Sequence, residues 1–301
     1  MILVVGHKNP DSDSICSALV AAELLNARGV KVKAIRQGEI SRETQHILNQ
    51  AGVAAPELRT SVAGEKVWLV DYSDMAQAPD DLSQAEILGI VDHHRLGDVM
   101  TINPLEAWIW PVGCTCTILF NLCKMEGLPI TRPLAILMMS AILSDTVGFA
   151  SPTCTEKDKQ AVTELASLAQ VEDLGAFTQQ LLIAKTDIEG LSAAQLVEKD
   201  LKAYPLDGRN VIVGQVELAT LEQVGDLIDD LEMDLQRRCE EDNLALAALM
   251  LTDITTAQTR LLFKGEWSTK LEKHAQDGVL MMHNTLSRKK QGWPWLQTEL
   301  A

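Results

Sequence analysis

Residues 1–13 read MILVVGHKNPDSD, and this stretch sets the pattern for the first part of the chain. The apolar run Ile2–Gly6 predicts a short buried strand. A polar turn follows it. Apolar residues then recur at helical spacing, which predicts a helix over Ser14–Ala27. The chain therefore opens as strand, polar turn and helix.

The same alternation continues downstream. Further short strands are predicted at Val30–Ile35, Val67–Asp71 and Ile87–Asp92, with a helix over Ser41–Ala51. Strands that alternate with helices are typical of a mostly parallel, doubly wound sheet. The fold class predicted for this part is therefore α/β.

The pattern changes to helices between Thr115 and about Ala184. Within that region Leu134–Leu143 is almost wholly apolar, which predicts a helix buried on all sides. The periodicity breaks around Lys185–Leu191. We therefore predict a first domain over residues 1–186, a hinge over 187–192 and a second domain over 193–301.

Strands return in the second domain, and one long amphipathic helix is predicted over Leu221–Glu241. The predicted strands are Lys202–Pro205, Val211–Glu217, Ala245–Thr252, Thr259–Lys264 and Gly278–His283. We expect a smaller α/β domain with a mixed sheet, and an active site in the cleft between the two domains.

The composition restricts the classes of partner. Acidic residues outnumber basic ones 42 to 26, so the formal net charge is −16, and a nucleic-acid partner is disfavoured. No apolar stretch has the length and character of a membrane span or a secretory signal, so we expect no membrane partner and a cytoplasmic location. The six cysteines form no C-x-x-C pair, and buried free thiols are the favoured interpretation; Cys114 and Cys116 alone are a weak metal signal.

The turn after the first strand carries His7, Asp11 and Asp13. Ligands of open α/β sheets bind beyond the carboxyl ends of the strands, and imidazole and carboxylate groups suit manganese, iron or cobalt. A turn rich in Asp, Ser and Asn can equally cap the helix that follows it. The two interpretations of this motif are about even.

The same kind of residue recurs where two other predicted strands end. Asp71 closes one apolar run, and Asp92-His93-His94 closes another. Asp145 follows an apolar helix, where an unpaired carboxylate would be costly. Because parallel strands end at one edge of a sheet, these coincidences favour a metal site over separate turn residues.

Together these motifs resemble the DHH phosphoesterases. The C-terminal Ser287-Arg288-Lys289-Lys290-Gln291 resembles the branch of family II, manganese-dependent inorganic pyrophosphatases. The resemblance runs nearly end to end and includes residues 111–115, PVGCT, and residues 151–155, SPTCT. One departure is Tyr72, since this family commonly has histidine after the aspartate of that strand.

The resemblance implies a role for each matching residue. Asp13 and Asp71 would bridge two metal ions, His94 would face the substrate, and Asp92 would orient its neighbours. Lys202, Arg288 and Lys289 would neutralise the substrate's charge. The implied metal ligands are His7, Asp11, Asp13, Asp71, His93 and Asp145.

The implied activity is hydrolysis of pyrophosphate by a water or hydroxide held between two metal ions. Two Mn²⁺ ions per subunit are expected, with Co²⁺ as a substitute and Mg²⁺ or further Mn²⁺ accompanying the substrate. A homodimer is expected, and no nucleotide-sensing insertion separates Asp71 from Asp92. The alternatives are an exopolyphosphatase or nucleotide phosphodiesterase with the same metal residues, and a non-catalytic scaffold.

Overall fold

A computed structural model of the chain describes residues 1–300, which divide into two units at Lys185 and Thr186. The division falls one residue before the predicted end of the first domain. The hinge over residues 187–192 stays a prediction.

The first unit is built on a sheet of six parallel strands in the order β3-β2-β1-β4-β5-β6. The strands are Ile2–Val5 (β1), Val32–Arg36 (β2), Glu57–Leu58 (β3), Lys66–Val70 (β4), Glu86–Asp92 (β5) and Glu106–Ile109 (β6). The order reverses between β1 and β4, which is where open α/β sheets bind ligands. The predicted α/β class with a mostly parallel sheet is confirmed.

Six helices accompany this sheet. They are Ser12–Ala27 (α1), Arg42–Ala51 (α2), Thr115–Met125 (α3), Arg132–Asp145 (α4), Glu156–Ala169 (α5) and Leu174–Lys185 (α6). Short 3₁₀ turns occur at Met75–Gln77 and Leu82–Gln84. The sequence patterns did not predict β3, which has only two residues, or β6, which has four residues and none of them buried.

The core of the first unit lies on both faces of the sheet. Val4, Trp68 and Val70 pack against the helices in one apolar cluster. On the opposite face Leu3 and Leu69 belong to a second cluster, which the segment between β4 and β5 helps to form. The strands are therefore covered on both sides, as near-continuous apolar runs require.

Helix α4 lies at the centre of the helical layer. It contacts α1, α2, α3, α5 and α6, and every residue from Ala135 to Ser144 is buried. Pro133 occupies its first turn, where the missing N–H leaves no helical hydrogen bond unmade. The prediction of an apolar helix buried on all sides is confirmed.

The second unit contains a five-stranded mixed sheet in the order β11-β10-β9-β8-β7. Its strands are Leu201–Leu206 (β7), Arg209–Leu218 (β8), Leu246–Asp253 (β9), Gln258–Lys264 (β10) and Leu280–His283 (β11). Within residues 186–300, β8 and β9 form the only parallel pair. Its α-helices are Ala193–Glu198 (α7), Ile228–Glu241 (α8), Ser268–Glu272 (α9) and Trp293–Leu300 (α10).

One element of the second unit differs from its prediction. The long helix expected over Leu221–Glu241 is a 3₁₀ helix over Leu221–Leu227 followed by α8. Gln223 accepts hydrogen bonds from the backbone N–H groups of Ala219 and Thr220, and Gly225 has low helix propensity. Local capping thus competes with an α-helical start at Leu221.

Candidate metal centre

The candidate site lies beyond the carboxyl ends of the adjacent strands β1, β4 and β5. His7 follows β1, Asp71 follows β4, and Asp92 is the last residue of β5 before His93 and His94. The strand order thus brings three predicted motifs to one edge of the sheet, at the point where the order reverses.

The turn after β1 is held tightly against the start of α1. A Cβ on Gly6 would lie 1.9 Å from the Ser14 hydroxyl oxygen, so only glycine fits there. The Ser14 hydroxyl accepts from the backbone N–H of His7 at 3.1 Å. Asp11 caps α1 by accepting from Ser14 N at 2.9 Å, and it also lies 3.6 Å from His7 Nε2. Asp11 is therefore both a cap and a candidate ligand.

Asp71 lies between two sets of candidate ligands. Its Oδ2 is 3.4 Å from His7 Nε2, and its Oδ1 is 3.4 Å from His93 Nε2. The backbone of Asp71 has a φ of 66°, a left-handed conformation that aspartate tolerates better than most residues. Asp71 Oδ2 is buried and has no hydrogen-bond partner among residues 1–300. A buried carboxylate oxygen that accepts no hydrogen bond is what a bound cation would satisfy.

Two sets of three side chains, all of them predicted ligands, have donor atoms close enough together to hold a metal ion. His7, Asp11 and Asp71 can place ligand atoms within 4.8 Å of one another, and so can Asp13, His93 and Asp145. In the second set, His93 Nε2 lies 4.0 Å from Asp13 Oδ2 and 3.8 Å from Asp145 Oδ2. Each set offers one imidazole nitrogen and two carboxylate groups, and these donors suit Mn²⁺ or Co²⁺ better than a soft metal.

The first turn of α3 holds the buried carboxylate of Asp13. The backbone N–H of Thr115 donates to its Oδ2 at 2.6 Å, and that of Cys116 donates to its Oδ1 at 3.2 Å. The Thr115 hydroxyl donates to Asp71 Oδ1 at 3.0 Å. The N-terminus of a helix favours negative charge, so α3 stabilises this pair of acids.

The imidazole rings of His93 and His94 are oriented differently. His93 Nδ1 lies 3.0 Å from the carbonyl oxygen of Val112, and donation to that oxygen leaves Nε2 free for a metal. His94 Nδ1 lies 2.9 Å from Asp92 Oδ1, which also accepts from the His94 backbone N–H. His94 is half exposed, whereas Asp92 is buried.

The electrostatic balance of the site favours a cation. Burial lowers the pKa of His7, but Asp11 and Asp71 outweigh it and raise the pKa to about 10. Burial likewise opposes protonation of His93, yet Asp71 and Asp13 raise its pKa to about 9. Burial and the charges of Asp13, Asp11 and Asp71 raise the pKa of Asp145. The pKa values of all three groups are raised because the site carries an excess of negative charge.

A third set with the right spacing contains Asp13, Cys114 and Cys116. Burial raises the pKa of Cys114, and it raises the pKa of Cys116 to about 11. Because the thiolate is the form that binds metals, these two thiols are poor ligands near neutral pH. Five of the six cysteines are buried, as the sequence-based interpretation expects, whereas Cys154 is only partly buried; all six are free thiols.

Tyr72 lies outside these sets of donors. Its side chain is 1% exposed and belongs to the apolar cluster of Leu3 and Leu69. Burial raises the pKa of its phenol, and the hydroxyl has no hydrogen-bond partner within the described chain, residues 1–300. Tyr72 therefore contributes to the apolar packing on that face of the sheet and belongs to none of the donor sets.

The predicted cations of the second unit occur near the start of β7 and just beyond β11. Lys202 and Lys289 are exposed, whereas Arg288 is buried. Arg288 Nη1 donates to the backbone carbonyl of Asp200 and lies 3.0 Å from its carboxylate. Because Asp200 is two residues before Lys202, this contact links the two basic segments.

Gln215 on β8 fixes the basic segment and was not predicted from the sequence. Its Oε1 accepts from the backbone N–H of Arg288 at 2.9 Å, and its Nε2 donates to the carbonyl of Leu286 at 2.9 Å. Residues 288–292 form a short π-helix that leads into α10. A buried glutamine in a strand has no local sequence signal for such a role.

Two family models match the chain. The DHH family, N-terminal domain, matches residues 1–142, and the DHHA2 domain matches residues 179–298. The Manganese-dependent inorganic pyrophosphatase of Methanothrix thermoacetophila is 38% identical over 304 residues, which cover 99% of this chain and 97% of the relative. The "Probable manganese-dependent inorganic pyrophosphatase" of Archaeoglobus fulgidus is 37% identical over 317 residues, which cover 100% and 98%.

The chain belongs to the manganese-dependent inorganic pyrophosphatase family. A Methanococcus jannaschii crystal structure, described as a family II inorganic pyrophosphatase, aligns with a TM-score of 0.68 at 33% identity and covers 100% of this chain and 99% of that one. An exopolyphosphatase-related protein from Bacteroides fragilis aligns with a TM-score of 0.53 at 15% identity, over 99% and 91% of the two chains. That second likeness concerns the fold alone.

Binding of Mn²⁺ to this pyrophosphatase-family chain should release protons. The metal-free imidazoles of His7 and His93, with pKa values of about 10 and about 9, are protonated at neutral pH, whereas a ligating imidazole must be neutral. Affinity for Mn²⁺ should therefore rise from about pH 6 to about pH 9. Calorimetric titration in buffers of different ionisation enthalpy measures the number of protons released.

The control for proton release is His46→Asn, which alters a histidine on α2 outside the site and should leave the number unchanged. A wild-type binding enthalpy that does not depend on the buffer would contradict the prediction.

Proposed function

We propose that this chain hydrolyses inorganic pyrophosphate to two phosphates. The observation that carries the proposal is Asp71, whose two carboxylate oxygens face separate imidazoles of two candidate ligand sets. The names of the manganese-dependent relatives, which align over nearly the whole chain, support the same activity.

The proposed ligands follow the two sets. His7, Asp11 and Asp71 would hold one Mn²⁺, and Asp13, Asp71, His93 and Asp145 the other. Asp71 is proposed as the bridge because it lies near both histidines, whereas Asp13 shares a set with His93 but not with His7. Co²⁺ is proposed as a substitute in these sites, with Mg²⁺ or further Mn²⁺ accompanying the substrate.

Bound Mn²⁺ would lower the pKa of a water molecule and neutralise charge on the phosphates. The chain's own residues orient the reaction around it. Asp92 holds His94 through Nδ1, and this hydrogen bond raises the pKa of His94. The imidazole can therefore keep a proton on Nε2 and donate it in a hydrogen bond to a phosphate oxygen.

Lys202, Arg288 and Lys289 are proposed to bind phosphate oxygens of the substrate. Arg288 already contacts Asp200, so Lys289 has the greater freedom to approach a ligand. Its ammonium group forms no ion pair or hydrogen bond within residues 1–300, and its side chain is exposed. A flexible point charge of this kind suits a doubly charged phosphate group.

A homodimer formed through the first unit is also proposed. Strand β6 is an edge strand that pairs only with β5. The segment before it exposes three large apolar side chains, with Leu96 72%, Met100 88% and Ile102 102% exposed. An unpaired edge beside exposed apolar residues is typical of an interaction surface.

A cytoplasmic location remains part of the proposal. The described chain contains no helix with the length and apolar character needed to cross a lipid bilayer. Free thiols without disulfide partners in residues 1–300 are typical of a reducing compartment. Cell fractionation would test the location.

The activity is tested with three substrates, each supplied with Mn²⁺. We expect faster phosphate release from pyrophosphate than from polyphosphate or a dinucleotide, and loss of activity after removal of metal with a chelator. Preference for the polymer or the dinucleotide would support one of the other phosphoesterase activities. Failure to release phosphate from all three would support the scaffold.

Replacement of Lys289 by Ala should raise KM and lower kcat while both metal sites stay filled. Loss of one charge-assisted contact, worth about 1.5–3 kcal/mol, corresponds to about a 10- to 150-fold fall in kcat/KM. The control is Lys290→Ala, which removes the neighbouring exposed lysine. Equal kinetics for the two variants would exclude the specific role of Lys289.

The double variant Met100→Glu, Ile102→Glu should convert a dimer into a monomer, because charge on an apolar interface opposes burial. Light scattering after size-exclusion chromatography would distinguish the 33.0 kDa chain from its dimer. Met233→Glu alters an exposed methionine on α8 and serves as the control. A monomeric wild-type protein at micromolar concentration would refute the dimer.

A further inference from the structure

We propose that Asp158 is a positioning residue for the metal centre, although it belongs to none of the candidate ligand sets. It fixes the segment Val112–Thr117, which in turn contacts three proposed ligands. The inference rests on the proposed binding of Mn²⁺ at those ligands and concerns how tightly the ions are held.

Asp158 lies in the first turn of α5 and is 0% exposed. Its Oδ2 accepts from the backbone N–H of Gly113 at 2.9 Å and from both the N–H and the hydroxyl of Thr155 at 2.7 Å. Its Oδ1 accepts from the Thr117 hydroxyl at 2.6 Å. The carboxylate thus joins α5 to two points of the segment that starts α3.

The segment contacts the metal centre at the peptide group that joins Val112 to Gly113 and at Thr115, which lies between the two points. The carbonyl of Val112 accepts from His93 Nδ1, and Thr115 donates to Asp13 and Asp71 through its N–H and its hydroxyl. Movement of this short segment would therefore displace three proposed ligands together. Groups that orient metal ligands in this way tune metal affinity.

The fit around Gly113 leaves the segment little room to move toward Asp158. A Cβ on Gly113 would lie 2.6 Å from the Thr146 methyl carbon and 3.0 Å from Asp158 Oδ2. Thr146 directly follows the proposed ligand Asp145. The segment is therefore packed between the end of α4 and the start of α5.

The capping of α5 does not by itself require all of these contacts. Its capping box uses Thr155 and Asp158 alone, whereas the bonds to Gly113 and Thr117 extend from the helix to another segment. These two additional bonds connect Asp158 to the metal centre. Removal of the carboxylate would leave the buried donors of Gly113 and Thr117 unpaired, together with the partly buried donors of Thr155.

Asp158→Ala should weaken Mn²⁺ binding about 10- to 100-fold, the range found when partners of metal ligands are removed. Asp158→Asn should restore much of the affinity, because its amide oxygen can accept from Gly113 and Thr155 while the Thr117 hydroxyl accepts from its NH₂ group. Mn²⁺ affinity is measured by electron paramagnetic resonance of the free ion. Thermal unfolding of the metal-free variants is measured in parallel.

A second pair of variants covers the case in which Asp158→Ala does not fold. Thr117→Val removes one bond to Asp158 without a change of shape and should weaken Mn²⁺ binding to a lesser degree. Thr117→Ser keeps the hydroxyl and should bind as the wild type does. The control is Val162→Ala, which truncates a buried residue of the same helix and should lower stability without a change in Mn²⁺ affinity.

Two results would overturn the proposal. One is unchanged Mn²⁺ affinity in folded Asp158→Ala or, if that variant does not fold, in Thr117→Val. The other is an equal loss of affinity in Val162→Ala, which would make the effect one of general stability. The proposed activity is judged separately on the wild type, since a chain that binds Mn²⁺ and leaves pyrophosphate intact would refute the activity alone.

Discussion

Concentrated negative charge at the carboxyl edge of the parallel sheet is the constraint on which the first unit depends. Asp13 and Asp71 are almost completely buried, yet both lie near other carboxylates. Buried charges of one sign are unfavourable unless donors or cations compensate them. The backbone N–H groups at the start of α3 compensate part of this charge, and the raised pKa values of His7 and His93 show that an excess remains.

Several local features follow from that constraint. The left-handed backbone at Asp71 allows its carboxylate to lie between His7 and His93. The apolar helix α4 carries Asp145 to the same place at its last turn. Helices α3 and α4 therefore help to hold acidic groups close together where those groups would otherwise repel one another.

The candidate substrate-binding segment of the second unit carries basic rather than acidic side chains. This segment is a short π-helix whose backbone is fixed by Gln215, while Arg288 is restrained by Asp200 and Lys289 stays exposed. A guanidinium held by a carboxylate and an exposed ammonium differ in how they can bind phosphate oxygens. In this segment Arg288 and its backbone are held by hydrogen bonds, whereas the Lys289 side chain has no partner in residues 1–300.

The sequence alone determined the α/β class, the buried apolar helix α4 and the residues that could bind metal, because apolar periodicity and strand-end motifs are local properties. Tertiary structure decided which acidic side chains lie close to the same histidine and that Tyr72 packs in an apolar cluster on one face of the sheet. It also decided that Asp158 and Gln215 form hydrogen bonds to segments distant in the chain. It also divided the predicted Leu221–Glu241 helix in two. Those outcomes depend on hydrogen bonds and packing between residues far apart in the chain, which no local pattern encodes.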